Sequence, residues 1–164
     1  MLEYLSEAIV LNKEPNGDLD TRVSLFTKKF GKLVAKAKSA RRITSKLSPH
    51  LEPGNLIDVR LVEKNGLQVV DALKKDRLHI EPADLYNLHL LLAEAEPDSR
   101  LWHDIKSENI DWRKVLAILG WDPRDATCQM CGKGDPQVFR IKSQEFFCKG
   151  CASKVAENDL LYIH

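Results

Sequence analysis

The sequence predicts a mainly β chain with added helices: a five-stranded N-terminal barrel, a short helical segment and a C-terminal four-cysteine module. Three observations carry that expectation. Apolar and polar residues alternate in short runs over the first 75 or so residues, leucines recur at helical spacing after Pro82, and all four cysteines fall late as two Cys-x2-Cys pairs. At 164 residues, with 43% hydrophobic and 30% charged, the chain has the composition of a globular protein rather than a disordered one. It has room for one ordinary domain or for two or three small ones.

The strands follow from the pattern. Tyr4–Leu11 is the first candidate, and Pro15-Asn16-Gly17-Asp18 is a turn signal. Arg22–Thr27 is the second, and Phe30-Gly31 marks the next turn. In Lys32–Ser39, residues Leu33, Ala35 and Ala37 share one face, while Lys32, Val34, Lys36 and Lys38 share the other. Asn55–Glu63 alternates again, Asn65-Gly66 is a strong hairpin signal, and Leu67–Leu73 completes the set. Five short strands with a polar insertion, Ala40–Gly54, between the third and fourth fit an OB barrel, with an SH3-like barrel as the competitor. This predicts a first domain over residues 1–78.

From Pro82 the period becomes helical, with Leu85, Leu88, Leu91 and Leu92 on one face. Pro97-Asp98-Ser99 interrupts it before a short helix through Trp102 and Ile105. A third helix from about Asp111 buries Trp112, Val115, Leu116 and Leu119 and stops at Gly120. Residues 79–126 are expected to form a reduced helical domain, with the three tryptophans in its core and in the adjoining cysteine module. Residues 127–164 are expected to form that module, closed by a C-terminal helix.

Cys128-Gln-Met-Cys131 and Cys148-Lys-Gly-Cys151 are separated by sixteen residues. Each pair can face one ion across a tight turn, for which Gly132 and Gly150 supply freedom, and Val138–Ile141 with Glu145–Cys148 form a hairpin joining the two. Four thiolates leave no open coordination position, so the expectation is one structural Zn2+ held by Cys128, Cys131, Cys148 and Cys151. Two disulfides or a redox dithiol are the competing readings. The acidic first residues and the lack of any export-length apolar stretch argue for a cytoplasmic protein, which disfavours disulfides.

Net charge is only +1, but its distribution is uneven. No Asp or Glu occurs from Thr21 to Leu51, where nine Lys and Arg fall, leaving 16 basic against 24 acidic residues elsewhere. Lys28, Lys29, Lys32, Lys36, Lys38, Arg41, Arg42 and Lys46 are the candidate nucleic-acid contacts. Such a cationic track suits a phosphate backbone. About five contacts to single-stranded DNA would give a salt slope near −3.5, at ~0.7 per contact. Phe26 and Phe30 are the only nearby aromatics, so binding should be backbone-driven and tolerant of sequence. An acidic protein partner is the alternative, which would make the chain a zinc-stapled adaptor. The five histidines and the acidic pairs Glu94/Glu96 and Asp122/Asp125 show no ligand or acid–base spacing. No phosphate-cradling glycine loop, nucleophile elbow or HExxH occurs, so nothing points to an enzyme.

The order of parts resembles the RecO family of bacterial recombination mediators. The resemblance rests on Glu7-Ala-Ile-Val-Leu11, Asp20-Thr-Arg-Val-Ser-Leu-Phe-Thr27, Gly31-Lys-Leu-Val-Ala-Lys36, Ala40-Arg-Arg42 and Leu116-Ala-Ile-Leu-Gly-Trp121 leading into Cys128. It implies an OB domain that binds single- and double-stranded DNA, annealing of complementary strands, and help in loading RecA during recombinational repair in the cytoplasm, at the nucleoid. RecR is the implied partner, and the tail of the single-stranded-DNA-binding protein another, docking on the helical domain. Lys36, Lys38, Arg41 and Arg42 would touch DNA, and the four cysteines would hold zinc. The chain resembles a short form with a reduced helical domain, and Ser39 stands where that family commonly has glycine.

Overall fold

The computed structural model describes residues 2–155 and 159–163. The chain divides into two compact units, Met1–Glu108 and Asn109–His164. Residues 79–126, expected to form a helical domain of their own, are therefore split. The first two helices belong to the barrel unit and the third to the cysteine unit, because each short helix needs a larger apolar surface to cover.

In the first unit, β1 (Glu3–Asn16), β2 (Asp20–Thr27), β3 (Gly31–Ala37), β4 (Asn55–Glu63) and β5 (Leu67–Arg77) close into a barrel in the order β1-β2-β3-β5-β4. β1 pairs antiparallel with both β2 and β4, and β3 meets β5 in parallel at Lys36 and Gln68. That closure is the OB arrangement and removes the SH3-like alternative. The strands run longer than their alternation suggests, since β1 and β2 stay in register out to Asn16 opposite Asp20. Register shifts between Val10 and Asn12 in β1 and at two places between β4 and β5 let long strands bend around a narrow barrel. Small and branched side chains such as Ala8, Val23, Ala35, Ile57 and Val59 fill the interior, and Ala40 and Leu51 of the β3–β4 insertion plug one end. A 3-10 turn at Ser48–Leu51 holds that plug.

Part of the outer barrel surface is also apolar. Phe26, 1% exposed, lies opposite Ile9 and meets Trp102 with ring centroids 5.9 Å apart. Helices α1 (Pro82–Leu91) and α2 (Ser99–Lys106) roof this patch and bury Leu85, Leu88, Leu101 and Ile105. Asp98 caps α2 by accepting from the backbone N–H groups of Arg100 and Leu101, and the Arg100 side chain holds its carboxyl below the usual carboxylate range. Gly31 (φ +71°) is required at the β2–β3 turn, because a Cβ there would come within 2.5 Å of the Glu96 backbone.

The second unit opens with α3 (Trp112–Leu119), capped by Asp111 and ended by Gly120 at φ 102°. A 3-10 turn at Pro123–Asp125 follows, where Asp122 accepts from the Arg124 backbone and guanidinium, which hold its carboxyl down to about 2. Strands β6 (Val138–Arg140), β7 (Glu145–Phe147) and β8 (Leu160–Tyr162) form a sheet in the order β7-β6-β8, with α4 (Lys149–Ala152) after β7. The expected C-terminal helix is thus corrected to strand β8. Leu161 and Ile163 are buried and Tyr162 between them exposed, a period of two that pairs with the free edge of β6. Of the tryptophans, Trp102 is buried in the barrel unit. Trp121 is half-buried against Phe139, at 5.5 Å between ring centroids.

Candidate nucleic-acid interface and metal centre

The cations of residues 28–46 divide into three groups. Lys28 and Lys29 sit in the β2–β3 turn, where the Lys28 and Lys29 backbone amides donate to the Glu7 carbonyl and the Ser6 hydroxyl. Lys28 Nζ lies 4.0 Å from Glu7, whose carboxylate also takes Lys75 at 3.1 Å and Lys106 at 3.5 Å. These groups hold the Glu7 carboxyl below its ordinary value, the Lys75 hydrogen bond most of all. Lys32, expected to face solvent with Lys36 and Lys38, is only 8% exposed. Strand alternation does put it outside the barrel, but as the cross-strand neighbour of Phe26 it lies beneath α1. Its ammonium donates to the His89 carbonyl at 2.5 Å, near the helix C-terminus, where the dipole favours a cation. Lys32 is thereby removed from the solvent-facing set.

The third group gathers at the opposite end of the barrel, roughly 20 Å along β2 and β3 at ~3.3 Å per residue. Lys36 lies opposite Arg22, Lys38 follows just past β3, and Arg41, Arg42 and Lys46 follow in the insertion, the last four all exposed. The Arg41 backbone N–H donates to the Leu19 carbonyl and its guanidinium to that of Gly17, tying the insertion to the β1–β2 hairpin tip. Ser39 turns the chain at φ 56°, with its N–H donating to Asp20. That left-handed conformation explains a preference for glycine there. Among the described residues, no carboxylate lies within 4.0 Å of a charged nitrogen of Lys36, Lys38, Arg41, Arg42 or Lys46.

Two cations outside the expected set, Arg22 and Lys64, join this end. Arg22 is the register partner of Lys36, though it also pairs with Glu14 at 3.4 Å. Lys64 sits in the β4–β5 turn, beside the Lys36–Gln68 junction, and its carbonyl accepts from Gln68. Only the parallel β3–β5 closure brings Lys64 near, and no local signal could have announced it. In OB barrels the β2–β3 face and the β1–β2 and β4–β5 loops are the usual oligonucleotide-binding surface.

In the second unit the four cysteines converge. The Cys128 amide donates to the Lys133 carbonyl and the Gly132 amide to the Cys128 carbonyl, with Gly132 at φ 75°. Cys148 caps α4, its Sγ accepting from the Cys151 amide at 3.4 Å. Gly150 lies inside that helical turn, so the second knuckle does not use the left-handed freedom expected of it. All four Sγ atoms lie within 4.8 Å of one another and could hold a metal ion. The Cys131 and Cys148 backbone amides hold the Cys128 thiol down to about 6, while the hydrogen bond with Cys148 pushes Cys151 up to about 12. Four thiolates this close need a cation to coexist.

A five-stranded OB barrel with cations gathered at one end, and a second unit whose four cysteines could hold a metal ion, define a class of fold rather than a single activity. A family model described as "Recombination protein O N terminal" matches residues 1–75. A protein of Thermodesulfovibrio yellowstonii named DNA repair protein RecO is 31% identical over 180 residues, which cover 93% of this chain and 71% of that protein. The DNA repair protein RecO of Bifidobacterium longum is 27% identical over 174 residues, covering 89% and 73%. The chain belongs to the RecO family. No helix of the described residues is long and apolar enough to cross a membrane.

Proposed function

We propose that this protein is a DNA-binding recombination mediator, not an enzyme. It would anneal complementary strands and assist the loading of RecA in recombinational DNA repair. The observation that carries the reading is the set of cations at the hairpin end of the barrel that have no ion-pair partner among the described residues: Lys36, Lys38, Arg41, Arg42 and Lys46. Such a surface binds single- and double-stranded DNA through phosphates and screens the repulsion between two strands, so that complementary sequences can meet without nucleotide hydrolysis. Family membership supports the same role, as does the name DNA repair protein RecO carried by its relatives. RecR is the proposed protein partner, and the tail of the single-stranded-DNA-binding protein a second.

The metal is proposed to be one structural zinc. Zinc–sulfur bonds of about 2.3 Å in a tetrahedron put sulfurs about 3.8 Å apart. Cys131 and Cys148 Sγ are separated by 3.8 Å, and a set of four thiolates is the donor set zinc prefers in closed sites. Cys128 and Cys131 would take the ion from one knuckle, Cys148 and Cys151 from the other.

Fluorescence-monitored annealing of complementary oligonucleotides over a range of salt tests the reading. Wild type should accelerate annealing. Replacing Lys36, Lys38, Arg41 and Arg42 with Ala should abolish that acceleration and flatten the single-strand salt slope by about 2.8, at ~0.7 per lost contact. Lys32→Met should leave the slope as it was. An unchanged slope in the fourfold variant would exclude the barrel from DNA binding. An acidic protein partner that oligonucleotides fail to displace would then be the reading to adopt.

A further inference from the structure

The β3–β4 insertion and the inner side of the β1–β2 hairpin enclose an open cleft of about 590 Å³ at one end of the barrel. This lies within the roughly 300–1,000 Å³ typical of sites that bury a small organic ligand. Its composition is divided. Lys13, Arg41 and Arg42 line it with Glu14, whose carboxylate pairs with Arg22 at 3.4 Å, and the buried Ala40 (4% exposed) and Leu51 (1%) give it an apolar part. Ile43 also borders the cleft, with its side chain fully in solvent at 104% relative exposure, directly after two arginines. An isoleucine set out in water between cations contributes nothing to the barrel core.

A second observation bears on the same place. Proteins that hold single strands ordinarily stack bases on aromatic side chains. Here Phe26 is 1% exposed against Trp102, and Phe30 packs edge-on against Tyr4 at 5.0 Å, so neither offers a ring face to a base. Both rings lie toward the β2–β3 turn, away from the cationic end, and no Phe, Tyr or Trp occurs between Gly31 and His79 to serve that end as a platform. Of its exposed large apolar side chains, Ile43 at 104% stands further into solvent than Leu19 of the hairpin tip at 40%.

We infer that the cleft receives one unstacked base of single-stranded DNA, with Ile43 as the apolar surface against the base and Arg41 and Arg42 on the flanking phosphates. The inference rests on the DNA-binding reading above and sharpens it. A cationic rim alone would hold single and double strands alike. A cleft roomy enough for an unstacked base, with an apolar side chain at its border, favours the single strand, because in a duplex each base is already stacked and paired and must be extracted at a cost of a few kcal/mol. Annealing profits from such a hold, which keeps a base turned away from its neighbours until a complementary strand competes for it.

The test is equilibrium binding of the full chain to three fluorescent probes: a 15-nucleotide thymidine strand, a backbone-matched abasic strand, and a duplex. Wild type should prefer the thymidine to the abasic strand by about tenfold, the scale of one base–side-chain contact. Ile43→Ala should erase that preference while keeping the salt slope, duplex affinity and thermal midpoint, since the side chain is outside the core. Ile43→Trp should retain the preference or raise it. Arg41→Ala with Arg42→Ala should weaken all three probes and flatten their salt slopes. Equal binding of the thymidine and abasic strands to wild type, or an unchanged preference in Ile43→Ala, overturns the base site while the arginine effect upholds DNA binding. Loss of the arginine effect instead overturns the DNA reading itself.

Discussion

The barrel and the cysteine unit meet the problem of a small core in opposite ways. The barrel's interior cluster, among the described residues, holds fourteen buried apolar side chains drawn from all five strands and the insertion. The cluster around the cysteines holds four, one of them Cys128 itself, with Cys148 and Cys151 packed at its margin. Closing a sheet removes both edges and encloses its own apolar surface. The three-stranded sheet of the second unit buries Phe139, Phe146, Leu161 and Ile163, but the two knuckles add only that small cluster, so an ion held by the four sulfurs would do there what closure does in the barrel. The difference explains where function can sit. A barrel stabilised by its interior can carry an uncompensated row of cations on its outside, whereas the proposed metal site would commit the cysteine unit's thiols to holding that unit together.

This contrast predicts its largest effect on metal removal. Chelation at neutral pH should unfold the cysteine unit, since structural zinc contributes ~10–16 kcal/mol of apparent free energy in small zinc domains. Near-ultraviolet dichroism should lose the signal of Trp121 against Phe139, while DNA binding by the barrel persists. Retention of that signal in the metal-free protein would show that packing suffices there too. In the barrel the comparable lesion is steric. Gly31→Ala should cost about 3 kcal/mol or more, because it adds a left-handed alanine and a collision with the Glu96 backbone, and thermal unfolding of the barrel unit would register it.

A smaller effect concerns acid. Glu7 is ionised more readily in the fold than in the unfolded chain, so its stabilising contribution is present above its ordinary value of 4.5 and is lost as pH falls below that value. Glu7→Gln should lower the melting temperature at pH 7 and bring variant and wild type together at low pH. Parallel curves across that range would mean that the lysines around Glu7 contribute nothing. The smallest change should be a gain. Ser39→Gly relieves a φ of 56° and should add about 0.5–1 kcal/mol without altering DNA affinity.

Signals carried by near neighbours in the chain were legible in advance. Alternation located each of the five strands, Asn65-Gly66 announced the β4–β5 turn that the structure realises with both residues at positive φ, and the Cys-x2-Cys spacing singled out the four cysteines whose sulfurs the structure brings within 4.8 Å of one another. Lys32 shows where such reading stops. Its outward orientation follows from a period of two, but whether outward means water depends on α1, which begins fifty residues later. β8 misled for a related reason. Leu160–Ile163 is too short to reveal its period, and only the open edge of β6 makes it a strand.

By itself, then, the sequence determined the local conformations, the two Cys-x2-Cys turns and the excess of positive charge between residues 21 and 51, because each depends on residues a few positions apart. Tertiary structure alone decided which of those charges remain in solvent, that Arg22 and Lys64 join them, and that Ile43 stands over a cleft. Those outcomes are set by the parallel β3–β5 closure, the helical roof and the barrel's mouth, where residues far apart in the chain compete for the same surface.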